Sequence, residues 1–221
     1  MKLNYKCLIL DHDDTAVKST PTIHYPSFLQ VCKELRPQDE PITLEAFTTY
    51  CYDPGFIGMC REILQFSESE LEHQQRIWRQ HTEMNIPDFY EGFPEIVRSF
   101  KELGGIITVV SLSERSRIER DYKQHCGFIP DSVFGWELPE HQRKPNPYPI
   151  EQILSRYSLR NTDVIMLDDL LPGLQMARQC EVTFAAAGWS HTIPQIKEAM
   201  ARQSDYYFEQ VQQFSDLIFS H

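Results

Sequence analysis

No stretch of this 221-residue chain gathers lysine and arginine into a basic stripe, and a formal charge of −11 argues against a general nucleic-acid surface. No apolar run approaches the length of a membrane span. No charged-then-apolar leader precedes the first strand signal, so the expectation is a cytoplasmic protein. The six cysteines (Cys7, Cys32, Cys51, Cys60, Cys126 and Cys180) include no C-x-x-C pair. That sets aside a zinc site and leaves structural thiols in a reducing compartment. Internal repeats and low-complexity tracts are absent too. What remains is an ordinary composition, 41% hydrophobic and 24% charged, with length for one medium domain or one domain carrying an insertion. The sequence leaves the oligomeric state open.

Strand signals recur at Tyr5–Leu10, Ile106–Val110, Asp163–Leu167 and Val182–Ala185, with weaker ones at Ser132–Phe134 and Asp205–Phe208. Helical patterns fall between and after the later ones, at Pro94–Leu103, Glu114–Cys126, Pro147–Tyr157, Pro172–Gln179, Pro194–Arg202 and Gln210–Ile218. Alternation of continuous apolar strands with helices predicts an α/β fold, a Rossmann-like parallel sheet covered on both faces. Residues 18–90 break the pattern. His24–Arg36, Leu44–Cys51, Phe56–Gln65 and Glu70–Met84 read as helices with no strand between them, and Ser67 with Glu70 forms a capping box for the last. The expected organisation is a core of residues 1–17 and 91–221 with an all-α insertion over 18–90.

Chemistry concentrates where the strands end. The run Cys7-Leu8-Ile9-Leu10 stops at Asp11-His12-Asp13-Asp14-Thr15. Charge is costly where a strand leaves a core, and in an extended chain Asp11 and Asp13 share one side while His12 turns to the other and packs. Two converging carboxylates repel each other unless a cation lies between them, and an oxygen-only ligand set with water access suits Mg²⁺. One carboxylate can then serve as nucleophile and the other as proton donor. The second strand ends in Ser111-Leu112-Ser113, a later loop holds Lys144-Pro145-Asn146-Pro147, and Val164-Ile165-Met166-Leu167 ends in Asp168-Asp169. In parallel sheets ligands bind beyond the carboxyl ends of the strands, which is where Asp11, Ser111 and Asp168-Asp169 fall.

The order strand-Asp-x-Asp, strand-Ser, loop-Lys-Pro, strand-Asp-Asp resembles the haloacid dehalogenase superfamily, whose members are mostly phosphatases, over nearly the whole chain. The form Asp168-Asp169-Leu170-Leu171-Pro172-Gly173 departs from the commonest family pattern, Gly-Asp with a further acid a few residues on. It looks instead like the branch holding phosphoglycolate phosphatases and β-phosphoglucomutases, with two adjacent acids and then a glycine. An insertion at this place is, in that family, a helical cap that closes over the site.

The resemblance implies that Asp11 attacks phosphorus and that Asp13 protonates the leaving group and later activates water. Ser111 and Lys144 would complete the catalytic set. Ser111, the backbone N–H groups of Leu112 and Ser113, and Lys144 would bind the phosphoryl group, with Arg143 as the fallback cation. Mg²⁺ would be held by Asp11, Asp13 (through its carbonyl), Asp168 and Asp169, with Asp169 the first choice of the last two. Asp14 stands where relatives often have glycine and is read as a turn residue. Thr15 supports the loop. Ser113 is read as the cap of the helix that follows. His24 is read as an ordinary histidine, and Gly188-Trp189 as a shaper of the rim. The expected activity is Mg²⁺-dependent hydrolysis of a small phosphorylated metabolite, without nucleic-acid or membrane partners. A phosphomutase of β-phosphoglucomutase type is the nearest rival. A silent binding module is disfavoured by the intact Asp11, Asp13, Ser111 and Lys144.

Overall fold

The computed structural model describes residues 2–220, which form two compact units, Lys18–Asp88 and the remainder. In chain order, β1 (Lys2–Leu3) and β2 (Cys7–Leu10) come first. The helices α1 (Tyr25–Leu35), α2 (Leu44–Tyr52), α3 (Phe56–Gly58) and α4 (Glu68–Met84) follow. Next are α5 (Phe93–Glu102), β3 (Ile106–Val110), α6 (Arg115–Cys126), β4 (Ser132–Phe134) and α7 (Tyr148–Arg156). The chain continues with β5 (Val164–Asp168), α8 (Leu171–Gln179), β6 (Thr183–Ala187) and α9 (Pro194–Gln203). It ends in β7 (Tyr206–Phe208), α10 (Val211–Ile218) and β8 (Phe219–Ser220).

Six strands form one parallel sheet in the order β4-β3-β2-β5-β6-β7. Every residue of β2 and β5 is buried, which is why both read as unbroken apolar runs. On α5, Phe93, Ile96, Val97 and Phe100 repeat at helical spacing and join Leu8, Leu10, Ile107 and Val109 of the strands in one core. The central strand β2 has β3 on one side and β5 on the other. Loops leaving the carboxyl ends of these three strands therefore meet around one point.

The helical unit lies in sequence between β2 and β3 and has its own core, built on Phe28, Val31, Phe47, Met59, Cys60, Phe66 and Ile77. The capping box at Ser67 and Glu70 is present, although α4 begins two residues earlier than the periodicity predicts. Two π-helical turns, Thr20–His24 and Met59–Ile63, depart from the sequence reading. The second replaces half of an expected helix over 56–65, and its wider turn buries the consecutive Met59 and Cys60. The strand expected from Tyr5 is β2 and starts at Cys7, and β1 pairs antiparallel with β8, a ribbon that two-residue strands do not announce. Among the described residues no helix is long and apolar enough to cross a membrane.

Candidate active site

Asp11 leaves β2 still tied to the sheet, its N–H donating to the Leu167 carbonyl at 2.9 Å. The chain then reverses. Asp14 adopts φ +56 and donates its N–H to the Val17 carbonyl at 2.7 Å, while the N–H groups of Ala16 and Val17 converge on the His12 carbonyl. A left-handed residue is most easily glycine, and aspartate is among the few side chains that tolerate the conformation. His12 packs away from the acids, as its alternation predicts. Its Nε2 lies 3.1 Å from Asp121 Oδ2, and its ring rests near Phe89 and Tyr122.

The two acids of the first motif part company. Asp11 turns toward the β5 side, where Lys144 Nζ donates to Asp11 Oδ1 at 2.5 Å and to Asp168 Oδ2 at 2.7 Å. Asp13 turns toward the β3 side, where its Oδ2 accepts the Ser113 hydroxyl at 2.5 Å and lies 3.4 Å from that of Ser111. Ser113 is thus no helix cap. The N-terminal cap position of α6 is Glu114, with no side-chain capping bond, and the Arg115 N–H is taken by the Glu137 carboxylate. The helix starts at Arg115, one residue later than the spacing predicts, so Ser113 falls outside the cap position. The Ser113 N–H donates to Ser111 Oγ at 3.3 Å. Arg143 is committed elsewhere, its guanidinium stacked on Trp136 and its Nε donating to the Leu138 carbonyl. Lys144 alone of the two enters the acid cluster.

Asp11, Asp168 and Asp169 are buried, and each places a carboxylate oxygen within 4.8 Å of the other two. The Asp13 carboxylate is not in that group. Asp168 Oδ1 accepts the Leu170 N–H at 3.0 Å, and its other oxygen faces Lys144. A Cβ at Gly173 would collide with this carboxylate, so the glycine of the motif clears its place. Asp169 Oδ1 accepts the Thr15 hydroxyl at 3.2 Å, and its Oδ2 lies 2.7 Å from Nε2 of His191. Sequence reasoning missed His191. Its only signal was position, a few residues past the carboxyl end of a sheet strand. His24 lies within the helical unit, its Nδ1 accepting the Trp78 indole N–H at 2.9 Å.

The electrostatics call for a cation. Burial pushes the Asp11 carboxyl well above the usual range; Lys144 opposes this, and Asp168, Asp169 and Asp13 add to it. Asp168 is raised likewise, by burial and then by Asp169 against Lys144. Burial works against the Lys144 ammonium, but Asp11 and Asp168 more than offset it and hold the group above its ordinary value. For His191, desolvation is outweighed by the bond to Asp169, and its pKa rises. Three buried carboxylates facing one lysine are short of positive charge, and an all-oxygen donor set fits a hard divalent ion.

A family model described as haloacid dehalogenase-like hydrolase matches residues 8–187. No curated protein matches the chain in sequence. Among solved structures, a provisionally assigned haloacid dehalogenase-like hydrolase from Bacteroides fragilis superposes with a TM-score of 0.79 at 18% identity, covering 95% of this chain and 99% of that one. A predicted phosphoglycolate phosphatase from Haemophilus somnus 129pt gives 0.71 at 18% identity, covering 97% and 96%. A variant of CbbY from Rhodobacter sphaeroides, in complex with xylulose-(1,5)bisphosphate, gives 0.72 at 14% identity, covering 93% and 94%.

Proposed function

This chain belongs to the haloacid dehalogenase-like hydrolases, and from that premise we propose that it is a Mg²⁺-dependent phosphatase of small organic phosphate monoesters, acting through an aspartyl phosphate on Asp11. One observation carries the reading: a buried carboxylate at the end of the central strand, held by Lys144 and flanked by two further buried acids. Asp11, Asp168 and Asp169 offer the carboxylates that would hold Mg²⁺, with the Asp13 carbonyl as a further ligand. Bound there, the ion would screen the acids from one another and withdraw charge from the phosphoryl oxygens.

With one oxygen fixed by Lys144, Asp11 has the other free to attack phosphorus. Lys144 stays protonated and neutralises charge developing on the transferring group. The Ser111 hydroxyl and the Leu112 N–H receive the phosphoryl oxygens, joined by the Ser113 N–H once the phosphoryl group displaces it from Ser111 Oγ. Asp13 gives its proton to the leaving alkoxide and takes one from the water that hydrolyses the acyl phosphate. The hydroxyl of Ser113 sets the rotamer from which it does so. A protein of similar fold holds xylulose-(1,5)bisphosphate, which makes phosphorylated sugars the first compounds to try.

The test is a panel of phosphorylated metabolites, including hexose 1-phosphates, assayed for inorganic phosphate and sugar isomers together, with Mg²⁺ and with a chelator. Phosphate release that needs Mg²⁺ and no bisphosphate activator is expected, with acid-stable, hydroxylamine-labile phosphate trapped on Asp11. Isomers forming faster than phosphate, in dependence on a bisphosphate, would make the protein a mutase instead. Normal metal binding with no turnover would leave a binding module.

A further inference from the structure

The turn after β6, Gly188-Trp189-Ser190-His191, is fastened at each of its residues. A Cβ on Gly188 would strike the ring of Tyr207, so the strand end lies flush against that side chain. The Trp189 indole N–H donates to the Thr15 carbonyl at 3.2 Å, and the Ser190 hydroxyl donates to the Ala187 carbonyl at 2.6 Å. His191, buried to 6% side-chain exposure, places Nε2 2.7 Å from Asp169 Oδ2. Thr15, whose carbonyl holds Trp189, turns its own hydroxyl to the other oxygen of Asp169. The loops that leave β2, β5 and β6 are thereby closed into a ring around one carboxylate.

A carboxylate has two oxygens and rotates freely about its last bond. To serve as a metal ligand it must be stopped at one angle, and donors on both oxygens do this while leaving lone pairs for the ion. Polar groups behind a ligand commonly govern metal affinity in this way. The imidazole facing a carboxylate must carry its proton on Nε2, which fixes the histidine as donor. We propose that His191 is a positioning residue for the metal site: it orients the Asp169 carboxylate toward Asp11 and Asp168 and so sets the affinity for the divalent ion. A histidine merely closing the turn would leave that affinity unchanged.

The inference rests on the Mg²⁺ reading above, and calorimetric titration of the folded, substrate-free protein with MgCl₂ separates the two. Wild type should bind Mg²⁺. His191→Leu, which fills the space without a donor, should bind about 10- to 100-fold more weakly. His191→Gln, which keeps an N–H, should recover most of the loss. In turnover the Leu variant should need more Mg²⁺ for half-maximal rate while keeping its kcat at saturation. A second measurement needs no variant: the His191 side-chain N–H signal in wild-type protein should shift as Mg²⁺ is added. Unchanged affinity in the folded Leu variant, or a His191 signal indifferent to Mg²⁺, would overturn the inference and leave the Mg²⁺ reading standing. A wild type that binds no divalent ion would overturn both.

Discussion

The two compact units differ in the charge they bury. In the sheet unit, Lys144 at 6% side-chain exposure bridges Asp11 at 6% and Asp168 at 2%. In the helical unit the ions meet nearer water, Arg36 with Glu70 at 34% and 21%, and Arg61 with Glu68 at 42% and 84%. Exposed pairs of this kind contribute about 0–1 kcal/mol. Buried groups lose hydration that their partners repay only in part, and here negative groups outnumber positive ones. The helical unit uses charge to finish its helix ends, with Glu70 serving both the capping box of α4 and Arg36 beyond α1. The sheet unit tolerates charge that a stable core would exclude, as the proposed chemistry requires.

The largest effect should come from Asp11→Asn. Phosphate release should fall to background, while the metal-free variant should melt at a higher temperature than wild type, because one of several crowded negative groups is gone. Asp11 and Asp168 are held above the usual carboxylate range. The folded state therefore keeps protons that the unfolded chain has released, and the metal-free protein should lose stability as pH rises through that interval. Asp11→Asn should flatten the loss. Calorimetric scans across pH check this, and a lower melting temperature in the variant would erase the contrast between the units.

Replacing Asp168 and Asp169 together by Ala should come next. Mg²⁺ at about 100 times its Kd should stabilise wild type by about 2.7 kcal/mol, and the double variant should gain nothing measurable. An equal gain in both would move the metal elsewhere. A smaller loss is expected from Asp121→Ala, which strips the buried His12 of its partner while sparing every acid of the cluster. The cost should be about 1–3 kcal/mol in denaturant unfolding, with Mg²⁺ affinity retained. Affinity falling with stability would tie His12 to the site more closely than its packing implies.

The smallest effect sharpens the comparison from the other side. Ser67→Ala removes half of the capping box and should cost about 1 kcal/mol, without touching Mg²⁺ affinity. The hydrogen bond from Arg36 and that from the Ser67 N–H hold Glu70 down at about 2. Its contribution is present above the unfolded value, about 4.3, and is lost as pH falls through about 2. A carboxyl-resolved NMR titration giving an ordinary midpoint for Glu70 would place its contact with Arg36 among surface pairs without consequence.

Much of this was legible in the sequence, and the parts that were not have physical reasons. Strands buried on both faces betray themselves as apolar runs, so Ile106–Val110 was bounded to the residue and the run ending at Asp11 was found. Asp11 and Asp168 end such runs and could be expected together, whereas Lys144 follows no strand and was joined to them only by the resemblance to the family. Side-chain partners across the fold were less accessible. Ser113 read as a helix cap because local spacing cannot show a carboxylate arriving from position 13. His191 carries no periodicity and no neighbour in sequence that marks it, and its role appears only when the loops after β5 and β6 are side by side. The π turns escaped notice because a helix with one extra residue keeps most of the same pattern.

Gly173 bears on how such a site can change over generations. A side chain there and the Asp168 carboxylate claim the same volume, whereas the commoner family pattern carries an acid near that position. The two arrangements therefore cannot be mixed one substitution at a time. A lineage with aspartate at 168 in this pose finds the acid at 173 closed to it until 168 retreats, and retreat abandons Lys144. An acidic side chain at 173 therefore fits here only together with a change at Asp168.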